Sequence, residues 1–326
     1  ASFQDEIIFT SGTTEGINLI SHAWGGSNLN SGDEIILSVM EHHANIVPWH
    51  FLRERLGVVL KWVEPRQDGS LPAEDVLSSI TPKTKLIAIT HMSNVLGSVV
   101  DVKKICSMAK LKDIRVLVDG SQAAVHMKVN VEDIGCDFYS VTGHKLYGPS
   151  GSGAIYISRD RANEMSPFMG GGSMIDEVKQ NSITYNTAPH KFEAGTPSIV
   201  EMIGLGAAID FIQDVGIENI KAHEFELEKY AQMKLESLDW LTIQGKAKEK
   251  GAIFSFTMAG HAHAHDISTV LDRKGVAVRA GHHCAQPLME HLGLTASCRA
   301  SFAMYNSQQE VDILIDSLKA CHEMFL

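Results

Sequence analysis

Lys145 stands in the string Thr142-Gly-His-Lys-Leu-Tyr-Gly-Pro149, directly after the apolar run Phe138-Tyr-Ser-Val141. A Lys at the end of a buried strand, among Gly and His, can lose water, and desolvation lowers an ammonium pKa toward the free amine that attacks an aldehyde. A lone Lys at such a place is more often solvated. Upstream, Val116-Leu-Val-Asp-Gly-Ser-Gln122 puts Asp119 at the C-terminal end of another apolar run. A carboxylate there can pair with a protonated pyridine nitrogen, although Asp-Gly alone also reads as a simple turn. The string Ser11-Gly-Thr-Thr-Glu-Gly16 links a strand to a helix start. Backbone N–H groups and the Thr13 and Thr14 hydroxyls could cradle a phosphate there, although an ordinary capped helix is the better reading of the string alone and it is no Walker or dinucleotide fingerprint. Together the three form a phosphate cradle, a carboxylate for a ring nitrogen and an amine for an aldehyde. That is the equipment for pyridoxal 5′-phosphate.

These residues need a scaffold, and the hydrophobic pattern supplies one. Glu6 to Thr10, Ile35 to Met40, Val58 to Val63, Lys85 to Thr90, Arg115 to Val118 and Phe138 to Val141 read as strands. The first of them is expected inside the sheet. Helical spacing covers Ile17 to Ala23, Asn45 to Leu56, Ala73 to Ile80 and Val102 to Lys110. Such alternation predicts an α/β fold whose mostly parallel sheet is covered on both faces, with Asp119 and Lys145 one strand-to-strand step apart at one crevice. After Thr196-Pro197 a long helical pattern runs from Ser198 to Leu238 with a break near Gly216. Strands at Ala252 to Met258, Val276 to Arg279 and Ala300 to Met304, with helices at Asp266 to Arg273 and Gln308 to Met324, predict a smaller α+β domain. The division expected is a large domain over 1–208 and a small domain over 209–326.

Composition bounds the function. The 326 residues carry 28 Lys and Arg against 39 Asp and Glu, a net charge of −11, which repels a phosphate backbone, so no nucleic-acid partner is expected. No apolar run approaches a membrane span. Five cysteines without a C-x-x-C pair fit a reducing compartment, and the cytoplasm is expected. His261-Ala-His-Ala-His265 invites a metal because alternate strand residues share a face, but no carboxylate or Cys completes a ligand set, and a solvated turn is the better reading. Gly170-Gly-Gly172 could cradle a phosphate, but a flexible loop closing over the site is the better reading.

The strings SGTTEGIN (11–18), EHHANIVPW (41–49), DGSQ (119–122), TGHKLYGP (142–149), GGGSM (170–174), FEAGTPS (192–198), RAGHHCAQP (279–287) and CRASFAMYN (298–306) run in order through nearly the whole chain. This set resembles class-V, fold-type I pyridoxal-phosphate enzymes, and within them the SufS/CsdA branch of cysteine desulfurases. The resemblance implies a seven-stranded-type sheet in the large domain and conversion of L-cysteine to L-alanine, with the sulfur passing as a persulfide to an acceptor protein of the SufE kind in iron–sulfur cluster assembly. It makes Lys145 the Schiff-base residue, Asp119 the partner of the ring nitrogen, Gln122 a donor to the ring oxygen and His42 the imidazole stacked on the ring. Thr14, Thr142 and His144 would hold the phosphate, with Thr142 where the family often has Ser. Thr196 would reach the phosphate of the other subunit in a homodimer with shared sites. Asn94, Arg279 and Arg299 would surround the substrate, and Cys284 would be the sulfur-accepting nucleophile; Cys106, Cys136, Cys298 and Cys321 read as structural.

The same pocket would serve a selenocysteine lyase or a cysteine-sulfinate desulfinase. A reading of another class is a non-catalytic binding partner or inactive fragment, against which intact Lys145, Asp119 and Cys284 argue. Family members usually begin with a further segment at the active-site entrance, and its absence here is expected to limit activity and solubility.

Overall fold

The computed structural model describes residues 1–260 and 262–325. Seven strands, β1 (Ile7–Thr10), β2 (Glu34–Ser38), β3 (Val59–Val63), β4 (Thr84–Thr90), β5 (Arg115–Asp119), β6 (Phe138–Thr142) and β7 (Gly153–Ile157), form one sheet in the order β1-β7-β6-β5-β4-β2-β3. Strands β2 to β6 pair in parallel, and β7 runs antiparallel to both its neighbours. The link from β6 to β7 is too short for a parallel crossover, so the chain must turn straight back. Lys145 lies in that link.

Period-2 alternation feeds both faces of this sheet. Ile36, Ile87, Ile89, Val116 and Val118 enter one core, while Ile35, Leu37, Leu86, Ala88 and Leu117 enter the other, all essentially inaccessible. Each of these Val, Leu and Ile side chains contributes about 1.5–3 kcal/mol on burial, so the central strands are fixed by their own composition. β1 differs from expectation. It is an edge strand paired, among the described residues, with β7 alone, and Glu193 Oε1 accepts the Phe9 N–H at 2.8 Å on its open side. An edge N–H left bare would be a template for further pairing.

A second sheet is built from β10 (Leu241–Gln244), β11 (Ile253–Met258), β12 (Arg279–Gly281) and β13 (Ser297–Ser301) in the order β10-β11-β13-β12, after an exposed hairpin β8 (Ile175–Lys179) and β9 (Ser182–Tyr185). Its own core joins Phe254, Phe256, Leu271, Cys298, Leu314 and Leu318. Two of its strands are displaced from the sequence expectation. Gly275 (φ +79°) ends the preceding helix with Val276 N–H still bonded to Leu271, so β12 begins only at Arg279. β13 begins at Ser297 and stops at Ser301, because Asn306 Oδ1 takes the Ala303 N–H and turns the chain.

The long helical pattern is two helices, Ile199–Val215 and Ile217–Glu236, broken at Gly216 (φ +87°). Helix Gln286–His291, between β12 and β13 in sequence, inserts Leu288 and Met289 into the core of the seven-stranded sheet. The other expected elements arrive within a few residues of their places, while β7 to β10 and helix Gln286–His291 had not been expected. The helix expected from Ile17 runs Thr13–Leu19 and continues as a π-helical stretch to Gly25, and His43–Asn45 is a 3₁₀ turn ahead of helix Val47–Leu56. His263 caps helix Ala264–Arg273, its Nδ1 accepting the His265 N–H, while His261 lies outside the described residues. Gly172 bonds through its carbonyl to the Gly195 N–H. No helix among the described residues is long and apolar enough to cross a membrane.

Candidate active site

Because β1, β2, β4, β5 and β6 all point the same way, their C-terminal ends meet along one edge of the sheet. A cavity of about 270 Å³ opens there. The turn after β1 supplies Thr13 and Thr14, the end of β5 supplies Asp119 and Gln122, and the end of β6 supplies Thr142, His144 and Lys145. His42 comes from the tip beyond β2 and Asn94 from the loop beyond β4. Arg279 and Arg299, on neighbouring strands of the second sheet, close the remaining wall.

Gly12 (φ +148°) adopts a conformation open to glycine, and a Cβ there would lie 3.2 Å from Thr142 Oγ1. The turn and the end of β6 are therefore in direct apposition. Thr142 Oγ1 is 3.0 Å from His144 Nδ1, and the first-turn N–H groups of helix Thr13–Leu19 have no helical acceptors. Three Thr hydroxyls, a ring nitrogen and a helix N-terminus form a donor set suited to a phosphate.

Asp119 is buried, and its Oδ1 accepts from Ser121 N–H at 2.9 Å and Ser121 Oγ at 2.6 Å. Ser121 Oγ also lies 2.7 Å from Thr13 Oγ1, so a hydroxyl pair joins the carboxylate to the phosphate turn. Burial pulls the Lys145 ammonium below the ordinary lysine range, with Arg299 and Arg279 adding and Asp119 opposing. Its amine is thereby easier to free at neutral pH. Burial likewise takes His42 down to about 4, with Asp119 opposing and Lys145 adding, which leaves a neutral imidazole whose Nδ1 accepts the Ala44 N–H at 3.1 Å. His144 is lowered by burial and by Lys145.

Arg299 donates through Nη1 to Asn94 O at 2.8 Å, while its buried Nε–H has no partner among the described residues. Burial and Arg279 bring this guanidinium down to about 10. A buried unpaired donor beside a second Arg suits a carboxylate. The Asn94 amide is spent on another bond, donating to His283 O at 2.8 Å. Cys284 is half-buried on the loop after β12, its Sγ 3.4 Å from Arg279 Nη2. The other four thiols are buried, and burial raises Cys106, Cys136, Cys298 and Cys321, as it should for inert packing residues. Thr196 does not line this cavity: it is exposed, in a turn at Gly195 (φ +80°).

Several supporting residues escaped the sequence reading. Ser121 lay within the DGSQ string but carried no signal of its own. Glu41 is fully buried behind His42, held by Ser38 Oγ at 2.5 Å and Asn45 Nδ2 at 2.7 Å, and burial with nearby Asp119 pushes it up to about 8. Gln122 Nε2 lies 2.9 Å from His126 Nε2, and His126 Nδ1 lies 2.7 Å from the buried Glu224. With the ring proton on Nδ1, His126 donates to Glu224 and accepts from Gln122. This chain fixes the Gln122 amide from helix Ile217–Glu236 of the C-terminal half.

The cavity thus joins a phosphate-type donor set, a buried carboxylate and a desolvated amine, with a thiol at its rim. Residues 1–314 match the family described as Aminotransferase class-V. The chain belongs to the class-V aminotransferase family. Among class-V relatives, a probable cysteine desulfurase of Xylella fastidiosa is 48% identical over 96% of this chain and 75% of its own length. One from Halalkalibacterium halodurans is 46% identical over 100% of this chain and 80% of its own. The solved cysteine desulfurase CsdA (S-sulfonic acid) of Escherichia coli superposes with a TM-score of 0.96 at 36% identity, covering 100% of this chain and 81% of that one. An apo cysteine desulfurase from Thermococcus onnurineus NA1 gives 0.93 at 34% identity, covering 98% and 79%. The seven-stranded, mostly parallel sheet is that of class-V, fold-type I enzymes.

Proposed function

We propose that this class-V protein is a pyridoxal-phosphate-dependent cysteine desulfurase that converts L-cysteine to L-alanine and leaves the sulfur as a persulfide on Cys284. The observation that carries the reading is the meeting of Lys145, Asp119 and His42 in one cavity with Cys284 against its Arg279 wall. The donor set fits the cofactor: Thr13, Thr14, Thr142 and His144 would hold its phosphate, Asp119 its ring nitrogen, Gln122 its ring oxygen, His42 its face and Lys145 its aldehyde. Bound there, the group supplies an aldehyde for the substrate amine and a protonated ring that withdraws electrons from the substrate Cα.

The chain's own residues do the rest. Arg299 and Arg279 grip the substrate carboxylate, and Asn94 supports them by holding the neighbouring loop. The Lys145 amine removes the Cα proton and can return it. Neutral His42 accepts the substrate thiol proton. The Cys284 thiolate attacks the substrate sulfur, the S–S bond forms as the C–S bond breaks, and the electron pair left on Cβ takes a proton to give the alanine methyl group.

The parent reading extends to assembly. Thr196, exposed and outside its own cavity, would serve the phosphate of a second copy in a homodimer with shared sites. The persulfide would pass to a SufE-like acceptor for iron–sulfur cluster assembly in the cytoplasm. Residues 1–208 would form the cofactor-binding large domain and 209–326 the small domain carrying the Cys284 loop.

The test is Cys284→Ala. The variant, loaded with pyridoxal phosphate, should still change its absorbance on mixing with L-cysteine yet form no labelled persulfide. A persulfide on Cys106 or Cys321 would move the nucleophile and overturn the assignment.

A further inference from the structure

His282-His-Cys-Ala285 is an awkward piece of backbone. His283 (φ +55°) and Cys284 (φ +57°) both sit in the left-handed region, and neither is Gly, Asn or Asp. L-residues adopt that region at a cost, so two in succession persist only where surrounding contacts over-determine the loop.

Those contacts come from three directions. The Asn94 amide takes the His283 carbonyl at 2.8 Å. The buried His283 ring is bonded through Nε2 to Ser297 Oγ at 2.9 Å. From the β2 tip, the His43 backbone N–H donates to Cys284 O at 2.7 Å, and the His43 ring accepts the Gln286 N–H on Nε2 at 3.1 Å. His43 therefore grips the chain on both sides of Ala285, with a main-chain and a side-chain bond. Its neighbour His42 lines the cavity. One dipeptide thus touches the cavity with its first residue and the thiol loop with its second.

We propose that His43 is a positioning residue, which straps the strained loop to the cavity wall and so fixes the Cys284 sulfur relative to His42. The role rests on the reading of Cys284 as the sulfur acceptor. It requires an unprotonated Nε2, since that atom accepts from Gln286. Burial and the adjacent His282 hold the His43 ring below its ordinary pKa, in keeping with that form. His43 itself meets neither the substrate nor the cofactor cradle. It acts through the backbone of residues 284–286.

Released from the strap, the loop can relieve its left-handed residues and swing the thiol toward solvent. The test compares His43→Ala, which lacks the ring acceptor, with His43→Gln, whose side-chain carbonyl has similar reach. Alkylation of Cys284 by iodoacetamide, followed by mass spectrometry of its peptide, needs no turnover. In the cofactor-loaded enzyme it is paired with two rates: the absorbance change on adding L-cysteine, and persulfide formation on Cys284. In His43→Ala, alkylation should rise and persulfide formation fall ~tenfold, on the order of one lost hydrogen bond, with the absorbance change at its original rate. His43→Gln should restore both. The proposal is overturned if His43→Ala alkylates and forms persulfide normally, if absorbance change and persulfide fall together, or if His43→Gln behaves like His43→Ala. Altered alkylation in a protein whose sulfur lands elsewhere would leave the strap standing and sink the nucleophile.

Discussion

A lysine amine in water is almost wholly protonated at neutral pH, and burial beside two guanidiniums draws Lys145 below that ordinary range against the pull of Asp119. The same burial singles it out for covalent chemistry. Treating the cofactor-loaded protein with borohydride should fix pyridoxal phosphate on the peptide containing Lys145, and Lys145→Ala should abolish the adduct. An adduct surviving in the variant, read by mass spectrometry, would place the linkage elsewhere. Lys145 and Asp119 were legible in the sequence because residue type, neighbouring Gly and a preceding apolar run all pointed to a strand end. His43 and Glu224 were not, since each gains its role from a partner far away in sequence, and neither were Ser121 and Glu41, whose local bonds matter only because the fold buries them at the cavity. His43 reaches Gln286, and Glu224 reaches His126. Thr196 shows the opposite case: its string was recognisable, but its place lies outside the cavity of its own chain.

Elements were legible where pattern and burial coincided. The central strands β2, β4, β5 and β6 are near-continuous apolar runs buried on both faces, so composition alone marked them. β7 was missed because Gly153-Ala-Ile-Tyr-Ile157 follows a Gly- and Ser-rich turn and reads as its continuation, and β8 and β9 because an exposed hairpin has no apolar face to announce it. The break at Gly216 was visible, and it sets the direction of helix Ile217–Glu236, which brings Glu224 to His126. That contact ties the C-terminal half to the short helix Ala123–His126 at the cavity. Glu224→Ala would leave the His126 Nδ1–H buried without an acceptor. It should cost about 1–3 kcal/mol in chemical denaturation, whereas substitution of an exposed acid on the same helix, Glu226→Ala, should cost much less. Equal losses would deny the pair its role.

Across the whole molecule, helix Ile199–Val215 leaves Val200 77%, Ile203 69% and Phe211 52% exposed, directly after the turn that carries Thr196. Scattered apolar residues on a surface need no explanation, but a run of them on one helix does. A second copy covering this helix would also bring Thr196 to a neighbouring cavity, the arrangement proposed above. Ile203→Glu should therefore shift sedimentation from dimer to monomer and weaken cofactor retention in the same step. An unchanged sedimentation coefficient in both proteins would refute the shared site.

The insertion of helix Gln286–His291 has a consequence for how the molecule comes apart. The strands on either side of it, β12 and β13, belong to the second sheet, yet Leu288 and Met289 are buried with Ile36 and Val116 beneath the first. The thiol loop is the stitch between them. A local opening of either core alone leaves one end of residues 282–291 anchored in the other, so detaching the whole segment requires both to open, whereas the sulfur itself is held only by the bonds of its loop. Sub-global unfolding of this segment is thereby coupled to the opening of both cores rather than of one.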